Sequence, residues 1–169
     1  MEEMAANDRV IGGLNPLSTD RAKQLYSFFC NGEMLLTNAT TAEMAKLTEN
    51  SFRDVNIAFA NELSIISDKL GIDVWELIEL ANHHPRVNIL NPGPGVGGHC
   101  IAVDPWFIVS SAQEEAKLIR TAREVNDGKP AYVIAKITEA VEAEGADSIA
   151  ALGIAFKPDI DDPVSYTHL

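Results

Sequence analysis

The segment Gly95–Cys100 (GVGGHC), continued by Ile101–Pro105 (IAVDP), sets a cysteine at the end of a glycine-rich loop and an aspartate four residues beyond it. Glycines let a backbone approach a ligand closely and turn its amides toward an anion. A cysteine in that position can act as an accessible nucleophile, with Asp104 in reach as a base or water-orienting group. On residue types alone, an inert buried cysteine after a tight turn is an equally open reading. A second group is Lys46, Asn50 and Asp54, spaced i, i+4 and i+8 along one side of a helical run. A lysine and an amide one turn apart could hold an alcohol oxygen or an oxyanion. Spacing by itself favours the plainer alternative, a solvated helix face. The third group is the corner His83–His84–Pro85–Arg86, where the guanidinium of Arg86 could fork onto a phosphate or carboxylate. No second pair of His or Cys stands at ligand spacing, so no metal site is expected.

These residues need elements to hold them. Asp8–Gly13 reads as a strand closed by two glycines, and Pro16 with Ser18–Thr19 starts a helix that should stop near Asn31–Gly32. Met34–Thr37 reads as a second short strand. Thr40 and Glu43 stand at capping-box spacing ahead of the longest helical signal. Phe52, Val55, Phe59, Leu63, Ile66 and Leu70 recur at steps of three and four, the period of a face that becomes buried. The 43–70 helix would be roughly 42 Å long at 1.5 Å per residue, a length suited to a dimer spine. Asp73 caps a helix over VWELIELAN, with Ile72 and Leu77 at staple positions, and it must end before Pro85. Asn91–Gly98 (NPGPGVGG) can be neither helix nor strand. Helical patterns resume at about Glu114–Asn126 and, after Pro130 as a first helical residue, at Ala131–Glu144, with Gly145 as C-cap. Ser148–Ala155 (SIAALGIA) suits a buried parallel strand.

The 169 residues, with 46% hydrophobic and 22% charged, are those of an ordinary soluble globular chain of about one domain. Thirteen Lys and Arg against 25 Asp and Glu leave a net charge of −12. Such a balance argues against nucleic acid and against an anionic membrane surface as partners. No apolar run approaches a membrane span, and the opening residues do not resemble a signal peptide, so a cytoplasmic location is expected. Two cysteines, Cys30 and Cys100, are too few for a disulfide framework. There is no repeat or low-complexity tract, and neither a Rossmann dinucleotide fingerprint, a P-loop nor a GxSxG elbow is evident.

TAEMAKLTENSFRDVNIAFANEL, HHPRVNILNPGPGVGGHCIAVDPWF and LGIAFKPDIDD together resemble the UDP-glucose/GDP-mannose dehydrogenase family, over about residues 8–162. The resemblance is greatest to the branch that acts on UDP-N-acetyl-D-mannosamine. It implies a mainly α central dimerisation domain, of the type that ends 6-phosphogluconate dehydrogenase, between pieces of two α/β domains. The pieces would be 1–37, the end of an NAD-binding domain, and 128–162, the start of a UDP-sugar-binding domain, around a central 38–127. It also implies an NAD-dependent oxidation of a sugar C6 alcohol to the carboxylate, in two hydride transfers through a thiohemiacetal and a thioester. By resemblance Cys100 is the nucleophile, Lys46 the oxyanion-holding lysine and Asn50 its partner. Asp104 would activate water for hydrolysis. Arg86 would bind substrate across a homodimer, Gly95, Gly97 and Gly98 would wrap the sugar and phosphates, and Lys157 would serve the nucleotide-binding domain. His99 replaces the aromatic or small residue of other branches and would touch substrate. Pro163–Leu169 (PVSYTHL) departs from the family pattern and reads as a foreign tail. Lacking an NAD domain, the chain on its own is expected not to turn over.

Overall fold

A computed structural model of the chain describes residues 2–151. Residues up to Glu49 and residues from Asn50 onward form two compact units, taken in turn.

The first unit begins with a short helix, α1 (Glu2–Ala6), and then builds a βαβ crossover from β1 (Arg9–Gly13), α2 (Pro16–Tyr26) and β2 (Met34–Asn38). The strands pair in parallel, Arg9 opposite Met34 and Gly13 opposite Asn38. Parallel strands need a crossover, and α2 provides it. Its start is set locally. Asn15 Oδ1 accepts from Ser18 N at 2.9 Å while Ser18 Oγ accepts from Asn15 N at 3.1 Å, and Pro16 supplies a pre-set φ. Buried Thr19 ties the helix to the end of β1 by accepting from Gly13 N. The helix ends at Tyr26, earlier than its pattern suggests, and a turn carries the chain to buried Cys30.

The long helix α3 spans Ala39–Leu70 and follows β2 directly. Thr40 does not cap it: Asn38 Oδ1 accepts from Thr41 N at 2.9 Å, which leaves Thr40 inside the first turn. A side chain one position outside the helix reaches its free amides; one already within the turn does not.

In the second unit α3 continues beside α6 (Lys117–Glu144), with α4 (Val74–Asn82) and α5 (Asp104–Ser111) between them in sequence. Asp73 caps α4, accepting from Trp75 N at 2.8 Å. Gly145 closes α6 in the left-handed conformation, φ 63°. Two expectations fail here. The helix is unbroken through Pro130, although the proline removes the hydrogen bond that the Asn126 carbonyl would receive and sets its ring against that carbonyl. And the side of α3 that is buried carries Asn50, Ser51, Asp54, Ala58 and Asn61, whereas Phe52, Phe59, Ile66 and Leu70 stay exposed. The burying partner explains the reversal. α6 offers α3 a row of polar groups, so Asp54 meets Arg123, Asn61 meets Asn126, Ser64 meets Lys129, and Asp68 meets Tyr132 and Lys136. Numbers rise together along both helices, so they run parallel. Small apolar residues (Ala58, Ala60, Ala122) and Ile78, Ile108 and Val109 fill the rest of the core. The start of the expected strand, residues 148–151, is not in a strand, and its remainder, like Lys157 and the 163–169 tail, lies outside the described residues.

Candidate active site

Cys100 is exposed, at the end of the glycine loop and before α5. Its carbonyl accepts from Val103 N at 3.0 Å and from Asp104 N at 2.8 Å, so the cysteine belongs to the turn that launches the helix. Asp104 is the first residue of α5, where a carboxylate is favoured by the helix dipole, and Pro105 behind it is tolerated because a first-turn amide has no partner to lose. The Asp104 carboxylate accepts from Asn50 Nδ2 at 2.6 Å. Two candidates 54 residues apart in sequence are thus joined, and α5, which sequence reading missed, is the element that does it. Its eight residues carry no side-chain cap, and Asp104 with Pro105 behind it were the start signals that sequence reading passed over.

The loop is held at several points. Asn82 uses both ends of its amide on Ile89, donating to its carbonyl at 3.0 Å and accepting from its N–H at 2.7 Å. Gly93 N donates to Asn61 Oδ1 at 2.9 Å. A β-carbon on Gly95 would sit 3.0 Å from Pro130 Cγ, so the bare glycine lets the loop rest on α6. Gly98 has φ 91°, a conformation that side chains disfavour. Gly97 and His99 are surface residues of the same stretch. The letters G-x-G-x-x-G do occur, at Gly93, Gly95 and Gly98, but coil precedes them rather than a strand.

Lys46 stands one turn before Asn50 on α3, is exposed, and pairs with Glu49 at 3.1 Å. It bonds to its own helix and not to Asn50. Asn50 and Asp54 are buried, so the reading of that flank as a solvated face holds for Lys46 and fails for the other two. Arg86 is exposed just past α4 and donates its backbone N–H to His84 Nδ1. Among the described residues no group of three or more His, Cys, Asp or Glu is placed to hold a metal ion.

Beneath the loop lies a polar cluster that sequence reading did not find. Arg123 Nη1 donates to Asp54 Oδ1 at 2.6 Å, Asn126 Nδ2 donates to the same oxygen at 2.8 Å, and Asn61 Nδ2 donates to Asn126 Oδ1 at 2.9 Å. Burial pushes the Asp54 carboxyl above its ordinary value, against the pull of Arg123 and Asn126. Arg, Asn and Asp inside two helical patterns look like solvent-facing residues until the helices are paired. A separate cleft of about 380 Å³ lies in the first unit, at the carboxyl ends of β1 and β2, lined by Gly13, Asn15, Thr19, Thr37 and Asn38 among others. None of the candidates named above lines it.

Residues 40–128 match the central domain of the UDP-glucose/GDP-mannose dehydrogenase family. The chain belongs to that family. It is 64% identical over 162 residues to the UDP-N-acetyl-D-mannosamine dehydrogenase of Campylobacter jejuni, covering 96% of this chain and 40% of that protein. It is 60% identical to the NDP-N-acetyl-D-galactosaminuronic acid dehydrogenase of Ralstonia solanacearum, with 96% of this chain and 38% of the relative covered. Among solved structures, the UDP-N-acetyl-mannosamine dehydrogenase of Staphylococcus aureus superposes with a TM-score of 0.83 at 49% identity, over 95% of this chain and 37% of that one. The UDP-D-ManNAc dehydrogenase of Pyrococcus horikoshii gives 0.78 at 49% identity, over 86% and 35%. The family member described here therefore spans about 40% of the length of the curated relatives it matches.

Proposed function

We propose that this chain supplies the central part of an NAD-dependent dehydrogenase that oxidises the C6 alcohol of a UDP-sugar to the carboxylate, with UDP-N-acetyl-D-mannosamine as the sugar. The observation that carries the reading is the Asn50–Asp104 pair at 2.6 Å, at the head of the helix that the exposed Cys100 leads into. In the longer relatives the substrate names point the same way.

In this proposal residues 1–37 close an NAD-binding domain, 38–127 form the central domain, 128–162 open a UDP-sugar-binding domain and 163–169 are a foreign tail. Among the described residues the glycine turn from β1 into α2, at Gly12–Gly13, lacks the full dinucleotide fingerprint, so the NAD site is assigned to the part of the relatives that this chain does not span. Bound there, NAD would accept the hydride of each oxidation. The chain's own residues do the rest. Lys46 and Asn50, one turn apart on α3, hold the C6 oxygen as it loses its proton. The Cys100 thiolate adds to the aldehyde carbon, forming a C–S bond, and the resulting oxyanion takes a proton. After the second oxidation the carbon is a thioester. Asp104, fixed by Asn50, directs a water onto it, and the C–S bond breaks to release the carboxylate and the thiolate. Gly95, Gly97, Gly98 and His99 line the sugar and phosphates, Lys157 serves the nucleotide, and Arg86 reaches substrate from the second protomer of a homodimer built on α3. A chain of net charge −12 working on a soluble nucleotide sugar fits the cytoplasm.

The test is NADH release from UDP-N-acetyl-D-mannosamine. A version carrying the flanking domains is expected to turn over, and the 169-residue chain is not. Cys100→Ser in the longer version should form no acid. A preference for UDP-glucose or UDP-N-acetylglucosamine would overturn the choice of sugar. Acid formed at the parent rate by Cys100→Ser would overturn the nucleophile, and no turnover on any UDP-sugar would leave only a dimerisation module.

A further inference from the structure

We propose that Asn61 is a positioning residue for the glycine loop, with the orientation of its amide dictated by the buried Asp54–Arg123 pair through Asn126. A carboxylate only accepts, so Asp54 Oδ1, already bonded to Arg123 Nη1 at 2.6 Å, must face the NH2 end of Asn126, 2.8 Å away. That turns the Asn126 carbonyl oxygen toward Asn61, which must then present its own NH2, at 2.9 Å. The one group Asn61 has left is its carbonyl oxygen, and it receives the N–H of Gly93 at 2.9 Å. Flipping either amide would set donor against donor at one end and acceptor against acceptor at the other. The four residues are 0% (Asp54), 1% (Arg123), 1% (Asn126) and 0% (Asn61) exposed, so water cannot substitute for a lost partner.

Asn50, Asp54 and Asn61 fall at steps of four and seven, on one face. The face that orients Asp104 through Asn50 therefore also fixes the loop through Asn61, and the loop and the carboxylate are referenced to one rigid element. That the loop binds a UDP-sugar rests on the proposed function; that Asn61 fixes the loop does not.

Hydrogen exchange of the 169-residue chain, read by mass spectrometry, tests the proposal. In the parent chain the Gly93 amide should exchange at least about ten-fold more slowly than in an unstructured peptide. Asn61→Asp keeps the acceptor for Gly93 but opposes a carboxylate to Asn126 Oδ1. It should speed exchange across 91–98 about ten-fold while α4 and α6 are unchanged, and it should alter the rate at which iodoacetamide modifies Cys100. Unchanged exchange in the loop would overturn the proposal, and so would an increase spread equally over α3 and α6, the signature of a merely structural role. Should the variant not fold, the parent chain still decides: a Gly93 amide exchanging at the free-peptide rate overturns it. Failure of the dehydrogenase reading would appear in the turnover assay and leave these exchange rates untouched.

Discussion

Asp54 illustrates how much a single buried carboxylate determines. It receives hydrogen bonds from two side chains of α6, and burial opposes its charge. Removing it strands Arg123, which is 1% exposed and keeps only its bond to the half-exposed Asp127. Asp54→Ala should therefore lower stability by about 3 kcal/mol, near the range found when one partner of a buried pair is deleted. Urea unfolding of both chains measures this, and a loss under about 1 kcal/mol would show the pair to be dispensable. Cys100, Lys46, Asn50 and Asp104 were all nameable from residue type and motif. Asn61, Asn126 and Arg123 were not, because a buried polar residue writes no distinct letter: its partner on the facing helix is 65 or more positions away.

The elements follow local rules where local groups decide. Asp73 and Gly145 act as caps because their partners lie within a few residues. Pro130 misleads because it is compatible both with starting a helix and with bending one that tertiary contacts sustain. The α3–α6 pairing carries one group at odds with its surroundings. Burial holds Lys129 below its ordinary 10.5, while Asp68 nearby raises it less. A lowered lysine pKa means that the folded chain binds that proton less tightly than the unfolded one. The charge thus costs stability below the folded pKa, and the cost disappears as pH rises toward 10.5. Ser64, which accepts from Lys129, also donates to the Asn61 backbone carbonyl and so keeps a partner without it. Lys129→Met should then raise Tm at pH 7, with the gain shrinking above pH 10. An equal gain at both pH values would assign the effect to packing.

For the whole molecule the exposed apolar stripe is the dominant feature. Phe52 (71% exposed), Phe59 (53%) and Leu70 (64%) lie along α3, the helix that its period marks for burial. An apolar face of this extent on one chain calls for a covering surface, and we propose a second copy of α3. Light scattering of the chain should give the mass of a dimer, and Phe59→Glu should weaken association at least about ten-fold, as loss of a central aromatic anchor does. A monomeric parent chain would count against the helix as a spine.

Sequence by itself determined the βαβ punctuation, the Asp73 cap of α4, the Gly145 cap of α6, the C-terminal end of α3 and the motif residues of the loop. Each of these is encoded by groups a few positions apart, or by a pattern of residue types that survives without knowledge of neighbours. Tertiary structure alone decided which face of α3 is buried, that Asn50 holds Asp104 rather than Lys46, and that Asn61 anchors Gly93. A periodic face states that something will cover it, not what. Donors and acceptors on separate helices choose one another only when packing brings them within hydrogen-bond reach and excludes the water that would otherwise satisfy them.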